Sequence, residues 1–187
     1  MSLFEFIVGM ISVILALAVA QLFVGIAELM QRRDQVRFYL PHTLWLISLF
    51  LVTFLHWWSL WTFKDLPWNF GMFFFSLLGP SLMFFAATVI NPRYRTKDDI
   101  DLEAHFQDIR QMFFVVIIAM LLLFTLDGPL FGTEPPINGI RGGQAIILLG
   151  CIAGLIFARK AIQVLASLMM LGGTSIIVII RFLPGQG

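Results

Sequence analysis

The chain has 187 residues and a formal net charge of +1 at pH 7; 59% of its residues are hydrophobic and 12% are charged. Soluble domains contain roughly 45–50% apolar and about 25% charged residues. This composition and a mean hydropathy of +0.93 exclude a soluble globular protein and predict an all-α integral membrane protein. We expect one membrane domain, 1–187, without a separate soluble catalytic or receptor module.

Apolar segments of membrane-spanning length follow one another along the chain. A hydrocarbon core of roughly 30 Å needs about 20 apolar residues in a helix. By this measure the sequence predicts a bundle of six transmembrane helices. They cover about 4–30, 43–63, 67–90, 112–131, 143–158 and 161–182.

The last two helices are separated by charge alone. As one helix, residues 143–182 would measure about 60 Å, twice the bilayer core. The only charged break is Arg159-Lys160, so we place a turn there, although neither Gly nor Pro marks it. The alternative is one long tilted helix to Leu171 followed by a short re-entrant segment after Gly172-Gly173, which would give five spans.

Positive charges are divided unequally between the two ends of the helices. Lys and Arg resist translocation and therefore mark cytoplasmic loops. Only three of the twelve lie in or near the loops on one side: Lys64, Arg141 and Arg181. Both termini are therefore predicted outside the cytoplasm. The other nine are Arg32, Arg33, Arg37, Arg93, Arg95, Lys97, Arg110, Arg159 and Lys160.

Tryptophans flank the short outer turn 64–66, and they are Trp57, Trp58, Trp61 and Trp68. Such rings prefer the headgroup level, which predicts membrane anchoring. A tryptophan cage around a ligand is the alternative.

The inner loop 93–111 is the longest polar stretch. Thr96 and Asp99 resemble a capping box, and apolar residues recur at helical spacing through Phe106 to Phe113. The pattern predicts a short amphipathic helix on the cytoplasmic interface before helix 4. A solvated connector is the alternative, and partner docking is a third use.

A few ionisable residues lie at similar depth in the outer part of the bundle. Such residues are candidate functional groups because their burial in hydrocarbon is costly. Glu5, His56 and Asp127 could form an outer polar pocket, with Arg181 or Arg141 as countercharge. In the alternative, Asp127 caps helix 4 and His56 is an interfacial hydrogen-bonding residue.

His42 and His56 return to nearly the same helix face, about 21 Å apart along the axis. This spacing occurs in two-haem b-type cytochromes. The only other histidine, His105, lies in the inner loop, so haem would require a symmetric dimer or another axial ligand. We therefore expect no haem, no other cofactor and no metal.

Two stripes of small residues recur at four-residue spacing. Such stripes let helices approach closely, inside the bundle or between protomers. They predict helix packing at Ser12, Ala16, Ala20, Gly150, Gly154 and Ala158.

Gly79-Pro80 lies near the middle of helix 3. The proline frees the carbonyl of Ser76, which predicts a kink, and more sharply a gate or ligand notch. Neighbours must satisfy the freed group. Gln21, Thr53, Ser76 and Ser81 are the expected partners.

Several classes of site are missing from the sequence. It contains no phosphate-binding glycine loop, metal-ligand spacing, nucleophile elbow or pair of intramembrane carboxylates. Cys151 is the single cysteine, so no disulfide can form within the chain. We expect no enzymatic activity and no nucleic-acid partner.

Several segments of the chain carry a resemblance to known proteins. They are Leu17-Ala18-Val19-Ala20-Gln21-Leu22-Phe23, Arg32-Arg33, Arg37, His42-Thr43-Leu44-Trp45, His56-Trp57-Trp58-Ser59-Leu60-Trp61 and Arg159-Lys160. In these segments the chain resembles a group of small six-helix bacterial membrane proteins with no assigned function. The resemblance implies a bacterial cytoplasmic (inner) membrane and six spans, and it carries no activity.

Three functions compete. The first is a homo-oligomeric channel- or carrier-type protein with the outer pocket as its vestibule. The second is a structural or accessory subunit that docks a protein partner through its small-residue stripes and amphipathic inner helix. The third is a binder of haem, quinone or lipid near His56 and Trp57-Trp58.

Overall fold

A computed structural model describes residues 2–92, 99–133, 135 and 137–182. These residues form six α-helices, as predicted, and a 3-10 turn over Leu60–Phe63 that extends the second helix. Two short strands, β1 (Val36–Arg37) and β2 (Ile100–Asp101), pair in parallel, with Val36 opposite Ile100. The helices are α1 (Leu3–Gln31), α2 (Leu40–Ser59), α3 (Phe70–Ile90), α4 (Leu102–Phe131), α5 (Ile140–Ile156) and α6 (Lys160–Phe182).

Five helices are long and apolar enough to cross a membrane: α1, α2 with its extension, α3, α4 and α6. The helix α5 is also apolar but has only 17 residues. Large apolar side chains cover the outside of the bundle, including Trp58 and Phe70, which are 71% and 78% exposed. A surface of this kind requires lipid rather than water around it. The chain is therefore a multi-pass membrane protein.

Successive helices run in opposite directions and give the bundle two ends. The terminal face carries Ser2, Lys64, Gly132 and Arg181. The basic face carries the 32–39 and 157–159 connections, the end of α3 and the start of α4. At the terminal face Arg181 Nη2 donates to Thr62 Oγ1 at 3.2 Å. At the basic face Arg37 Nη1 donates to Asp101 Oδ2 at 3.0 Å.

The chain turns between α5 and α6 at the predicted place. The helix α5 ends at Ile156, and α6 begins at Lys160. Arg159 lies in the turn. One long helix through this region, the alternative expectation, is therefore wrong.

Side chains from two neighbouring helices explain why α5 ends without Gly or Pro. Arg110 Nη1 of α4 donates to the carbonyls of Gly154 at 2.9 Å and Leu155 at 2.5 Å. Gln163 Nε2 of α6 donates to Gly154 O at 2.9 Å and to Phe157 O at 2.6 Å. The last carbonyls of a helix need such partners. These bonds provide the stop signal that the local sequence lacks.

The predicted interfacial helix before helix 4 is wrong, because α4 runs without a break from Leu102 to Phe131. Its N-cap is Asp101, whose Oδ1 accepts the backbone N–H groups of Glu103 and Ala104 at 2.9 and 3.0 Å. The expected cap at Thr96 lies outside the described residues. Phe106 is fully buried and contacts Tyr39 at 5.7 Å between ring centroids. The amphipathic face therefore packs into the bundle, not onto the membrane surface.

Gly150 and Gly154 of α5 lie in close contact with neighbouring helices of the bundle. A Cβ on Gly154 would lie 2.3 Å from Phe114 Cζ, and one on Gly150 would lie 3.0 Å from Met169 Cβ. Ala158 does not belong to this stripe, because it is exposed and lies in the α5–α6 turn. A further close contact, between Gly143 and the carbonyl of Gly173, was not predicted.

The stripe on α1 does not pack within the chain. Ser12 is half-buried, and Ala16 and Ala20 are exposed. Of the two kinds of packing that the stripe allows, inside the bundle or between protomers, Ala16 and Ala20 are not placed for the first. The buried residues of α1 are Ile7, Ile11, Leu15, Ala18, Leu22 and Gly25.

The helix α3 remains helical through Gly79-Pro80. A Cβ on Gly79 would lie 2.3 Å from Phe124 Cε1, so this glycine lets α4 approach. Three of the predicted partners of the freed Ser76 carbonyl bond elsewhere. Ser76, Ser81 and Thr53 donate to carbonyls of their own helices.

Candidate functional site

A cavity of about 110 Å³ lies between α2, α4, α5 and α6 in the half of the bundle next to the terminal face. The last turns of α2, α4 and α6 and the first turn of α5 meet there. Its apolar wall includes Phe124 and Ile140. Its polar lining consists of His56, Ser59, Asp127, Gln144, Thr174 and Arg181.

His56 projects from the last turn of α2 into this cavity. Its ring stacks on Phe124, with centroids 4.4 Å apart and planes 20° from parallel. The side chain as a whole is half-buried, but Nε2 is buried and has no hydrogen-bond partner among the described residues. This nitrogen can donate or accept, depending on the tautomer. His56 therefore offers the cavity one unused polar atom.

Thr174 offers a second one from α6. The side chain is buried, with 6% of its surface exposed, and its Oγ1 finds no partner in the part of the chain that the structure describes. Threonine in a membrane helix commonly donates to the carbonyl four residues earlier, as Thr53, Thr88 and Thr125 do. Thr174 does not make this bond to its own helix, so its hydroxyl remains without a partner among the described residues.

The other polar groups of the cavity already have partners. Arg141 Nη1 donates to Gln144 Oε1 at 2.6 Å, and Gln144 Nε2 donates to Phe124 O at 3.4 Å. Asp127 Oδ1 accepts from the backbone N–H of Gly128 at 2.6 Å. The interactions of Gln144, Asp127 and Arg181 hold the rim in place.

Asp127 does not end α4. The helix continues through Pro129 to Phe131, and Gly132 closes it in the left-handed conformation with φ of 71°. Its N–H donates to the carbonyls of Gly128 and Pro129. The capping role considered for Asp127 therefore belongs to Gly132.

Apolar residues close the cavity toward the basic face. Below them the ring of Trp45 meets Phe113 and Phe114 edge-on at centroid distances of 5.1 and 5.4 Å. Apolar side chains thus separate the cavity from the basic face. Its floor consists of Val52, Ile117, Met120, Leu121, Ile147 and Met170.

The structure brings together three of the four residues predicted for the outer pocket: His56, Asp127 and Arg181. Glu5 lies elsewhere. Its Oε2 accepts from Ser2 N at 2.8 Å, and Ser2 Oγ accepts from Glu5 N at 3.2 Å, which is a capping box at the start of α1.

Glu5 borders an open apolar groove between α1 and α2, together with Trp57, Trp58 and Trp61. Trp68 does not line this groove. Its Nε1 donates to Phe63 O at 3.1 Å. The four tryptophans therefore do not form a common cage.

The sequence did not lead us to predict Gln144 and Thr174 as cavity residues. Each of them, however, shares a helix face with an arginine that was considered for the pocket. Thr174 precedes Arg181 by seven residues, or nearly two turns, and Gln144 follows Arg141 by three, so each pair shares a helix face.

His42 and His105 are tied to the same point of the fold. His42 is fully buried, and its Nε2 lies 2.9 Å from Ile90 O, the last carbonyl of α3. His105 Nε2 lies 3.1 Å from the same oxygen. His42 Nδ1 is buried and has no hydrogen-bond partner among the described residues. Within the described residues, no group of three or more His, Cys, Asp or Glu side chains could hold a metal ion.

Comparison of the chain with protein-family models, with curated proteins and with solved structures finds no match.

Proposed function

We propose that the protein is a carrier- or channel-type membrane protein that binds a small polar solute in the cavity between α2, α4, α5 and α6. The observation that carries this proposal is the pair of unpartnered buried atoms, His56 Nε2 and Thr174 Oγ1, which belong to two residues that line one cavity. Leaving a buried polar atom without a partner costs about 1–3 kcal/mol. A solute with a donor and an acceptor would remove that cost.

Size and charge narrow the class of solute. The cavity of about 110 Å³ is smaller than the roughly 150 Å³ cavity that accepts benzene in an engineered protein. The charged side chains in its lining are one carboxylate, Asp127, and one guanidinium, Arg181. Opposite charges at one site favour an uncharged or zwitterionic solute over a simple ion. We therefore propose a solute of benzene size or smaller.

The apolar closure of the cavity toward the basic face favours a carrier over an open channel. The apolar floor and the Trp45, Phe113 and Phe114 rings separate the cavity from the basic face. A solute in the cavity would have to wait for a rearrangement of the helices before it could leave on the other side. Such alternating access is the usual behaviour of carriers.

Permeation into proteoliposomes tests the function. Stopped-flow light scattering would follow the entry of glycerol and urea, with empty liposomes as the baseline. We expect wild-type protein to accelerate entry, Thr174→Val to lose most of the acceleration and Ser175→Ala to retain it. Ser175 is the matched control, because its exposed hydroxyl donates to Leu171 O at 2.8 Å outside the cavity. Wild-type rates equal to those of empty liposomes would overturn the proposal.

The terminal face is proposed to lie outside a bacterial cytoplasmic membrane, with six spans. The excess of Lys and Arg at the basic face supports this orientation. Cys151, the single cysteine, is fully buried. New cysteines at the exposed positions Asp65 and Asp34 can therefore be labelled selectively with an impermeant maleimide on intact cells. Labelling at Asp34→Cys instead of Asp65→Cys would reverse the orientation.

Self-association is part of the same proposal. The exposed small side chains of Ala16 and Ala20 lie on the lipid-facing side of α1, where small residues permit close helix contact. Native mass spectrometry of wild-type protein should give an oligomer, and Ala16→Phe should dissociate it. A monomer for the wild type would contradict this part.

The two alternative functions receive less support. The docking hypothesis relied on the small-residue stripes and on an amphipathic inner helix; Leu102 and Phe106 of that helix are buried in the bundle, so only the exposed stripe on α1 remains for it. The hypothesis of a haem, quinone or lipid binder has no comparably specific observation in its favour, since the four tryptophans do not line a common groove.

A further inference from the structure

A second, smaller cavity of about 20 Å³ lies between α2 with its extension, α3 and α4. It shares three lining residues with the solute cavity: His56, Phe124 and Asp127. A cavity needs roughly 10–15 Å³ to hold one water-sized particle. The small cavity therefore has room for a single water molecule or a single monatomic ion.

Ser76 of α3 lines the small cavity and carries two oxygen atoms that could coordinate an ion. Pro80 lies inside α3 and has no N–H, so the carbonyl of Ser76, four residues earlier, cannot receive the usual helical hydrogen bond. Ser76 Oγ donates to Met72 O at 2.6 Å, and a hydroxyl oxygen that donates keeps its lone pairs. Carbonyls released at breaks in helices coordinate Na⁺ in membrane transporters. The proline thus provides a coordinating group at the small cavity.

Asp127 is the one charged side chain among the described residues that line the small cavity. Arg181, which lines the solute cavity, is not among them. Asp127 Oδ1 accepts from the N–H of Gly128 at 2.6 Å, and a carboxylate has about four sites for further donors or cations. One carboxylate balances one positive charge, whereas Ca²⁺ takes about six to eight oxygen ligands. The lining therefore suits a monovalent cation.

Aromatic rings form part of the wall around the small cavity. Phe131 meets Phe63 and Phe75 edge-on, at a centroid distance of 5.7 Å in each case. Phe63 and Phe131 are buried. The attraction between a carboxylate and a cation is stronger where water is excluded. This apolar wall therefore favours cation binding at Asp127.

We infer that a monovalent cation of the size of Na⁺ binds in the small cavity, held by Asp127 and by the oxygen atoms of Ser76, and that its binding is coupled to that of the solute. The coupling, but not the cation site, rests on the proposed function. Because His56 and Asp127 line both cavities, a cation that moves either side chain also reshapes the solute site. Such coupling is reciprocal, so the solute also changes the affinity for the cation.

Thermal unfolding in detergent tests the cation site, with NaCl compared to choline chloride at equal ionic strength. Na⁺ at roughly five times its dissociation constant should raise the melting temperature by about 2–4 °C for a chain of this size. Asp127→Asn should lose this rise. Asp65→Asn is the matched control and should keep it, because Asp65 is an exposed carboxylate at the same face and lines neither cavity. An equal rise in choline chloride, or a full rise in Asp127→Asn, would overturn the site.

Pro80→Ala tests the Ser76 carbonyl. The alanine N–H would bond to this carbonyl and withdraw it from the cation, so the Na⁺-dependent rise should decrease. Pro129→Ala is the matched control, since Pro129 also lies inside a helix, and Thr125, four residues before it, lines neither cavity. An undiminished rise in Pro80→Ala would overturn the assignment of the Ser76 carbonyl.

Permeation separates the cation site from the proposed function. Glycerol entry into proteoliposomes should be about fivefold faster in NaCl than in choline chloride, the lower end of coupling between two sites. Equal entry in the two salts would overturn the coupling. A Na⁺-dependent melting temperature without permeation by the wild type would overturn the proposed function and leave the cation site. Permeation without a Na⁺-dependent melting temperature would do the reverse.

Discussion

The α5–α6 turn and the terminal cavity use buried polar side chains in opposite ways. At the turn, Arg110 and the amide nitrogen of Gln163 satisfy the carbonyls at the end of α5. In the cavity, His56 Nε2 and Thr174 Oγ1 bond to no described residue. The first set holds the backbone together, and the second is the pair of atoms that we propose binds a solute. Polar residues in a membrane bundle are therefore informative through the hydrogen bonds that they do or do not make.

We expect the largest loss of stability when Arg110 is replaced. Arg110→Met would leave the carbonyls of Gly154 and Leu155 without this donor, and we expect stability to fall by about 2–3 kcal/mol. Thermal unfolding in detergent would measure the loss. Arg33→Met is the control, because the Arg33 side chain is 83% exposed. Equal melting temperatures would show that the turn does not depend on this cap.

Gly154 tests the packing beside the same turn. A Cβ would lie 2.3 Å from the fully buried Phe114, which cannot move easily, so Gly154→Ala should cost about 1–3 kcal/mol. Gly142 in the same helix has nothing within 4 Å of a new Cβ. Gly142→Ala should stabilise α5 by roughly 0.5–1 kcal/mol. Unfolding shifts of the same sign would contradict this packing.

Removal of the Thr174 hydroxyl should not destabilise the protein, whereas removal of a buried hydroxyl that makes a hydrogen bond should. Thr174→Val removes an unpartnered group and should leave stability unchanged or raise it by up to about 1 kcal/mol. Ser167 is equally buried, but its Oγ donates to Val164 O at 2.8 Å. Ser167→Ala should therefore lower stability by about 1 kcal/mol. Similar losses in both variants would mean that Thr174 also serves the fold.

The smallest effect is expected at Asp101, outside the spans. The backbone N–H of Ala104 lowers the pKa of this carboxyl, with further contributions from the N–H of Glu103 and from Arg37. Because the folded pKa is depressed, the stabilisation is complete above the unfolded pKa, about 4, and is lost as the pH falls through the folded value. Asp101→Asn should flatten the decrease in melting temperature between pH 5 and pH 3. Asp34→Asn, which removes an equally charged but more exposed carboxyl, is the control.

Much of the fold could be predicted because hydrophobic length and charge are local signals. The Arg159-Lys160 pair located a turn that has no Gly or Pro. The start of α4 was missed because the spacing of Leu102, Phe106 and Phe113 shows that a helix has an apolar face, but not what covers it. Tyr39 and the bundle cover it.

Part of the candidate site could be predicted because the depth of a residue along its helix can also be read from the sequence. Depth along each helix brought His56, Asp127 and Arg181 to the same level, and these three share the cavity. Depth does not fix the direction around the helix axis. Glu5 has a similar depth but lies in the groove beside α1. Thr174 carries no charge and drew no attention, although its missing hydrogen bond distinguishes it in the structure.

The shortness of α5 links the protein to the thickness of its membrane. Its 17 residues measure about 26 Å, roughly 4 Å less than a typical hydrocarbon core, whereas α1 and α4 have 29 and 30 residues. In a six-span arrangement, lipids next to α5 would have to compress, at a cost of fractions of a kcal/mol per Å of hydrophobic mismatch. The same helix contributes Ile140 and Gln144 to the cavity wall. We therefore expect acyl-chain length to change the shape of the cavity mouth, so that lipid composition itself tunes access to it.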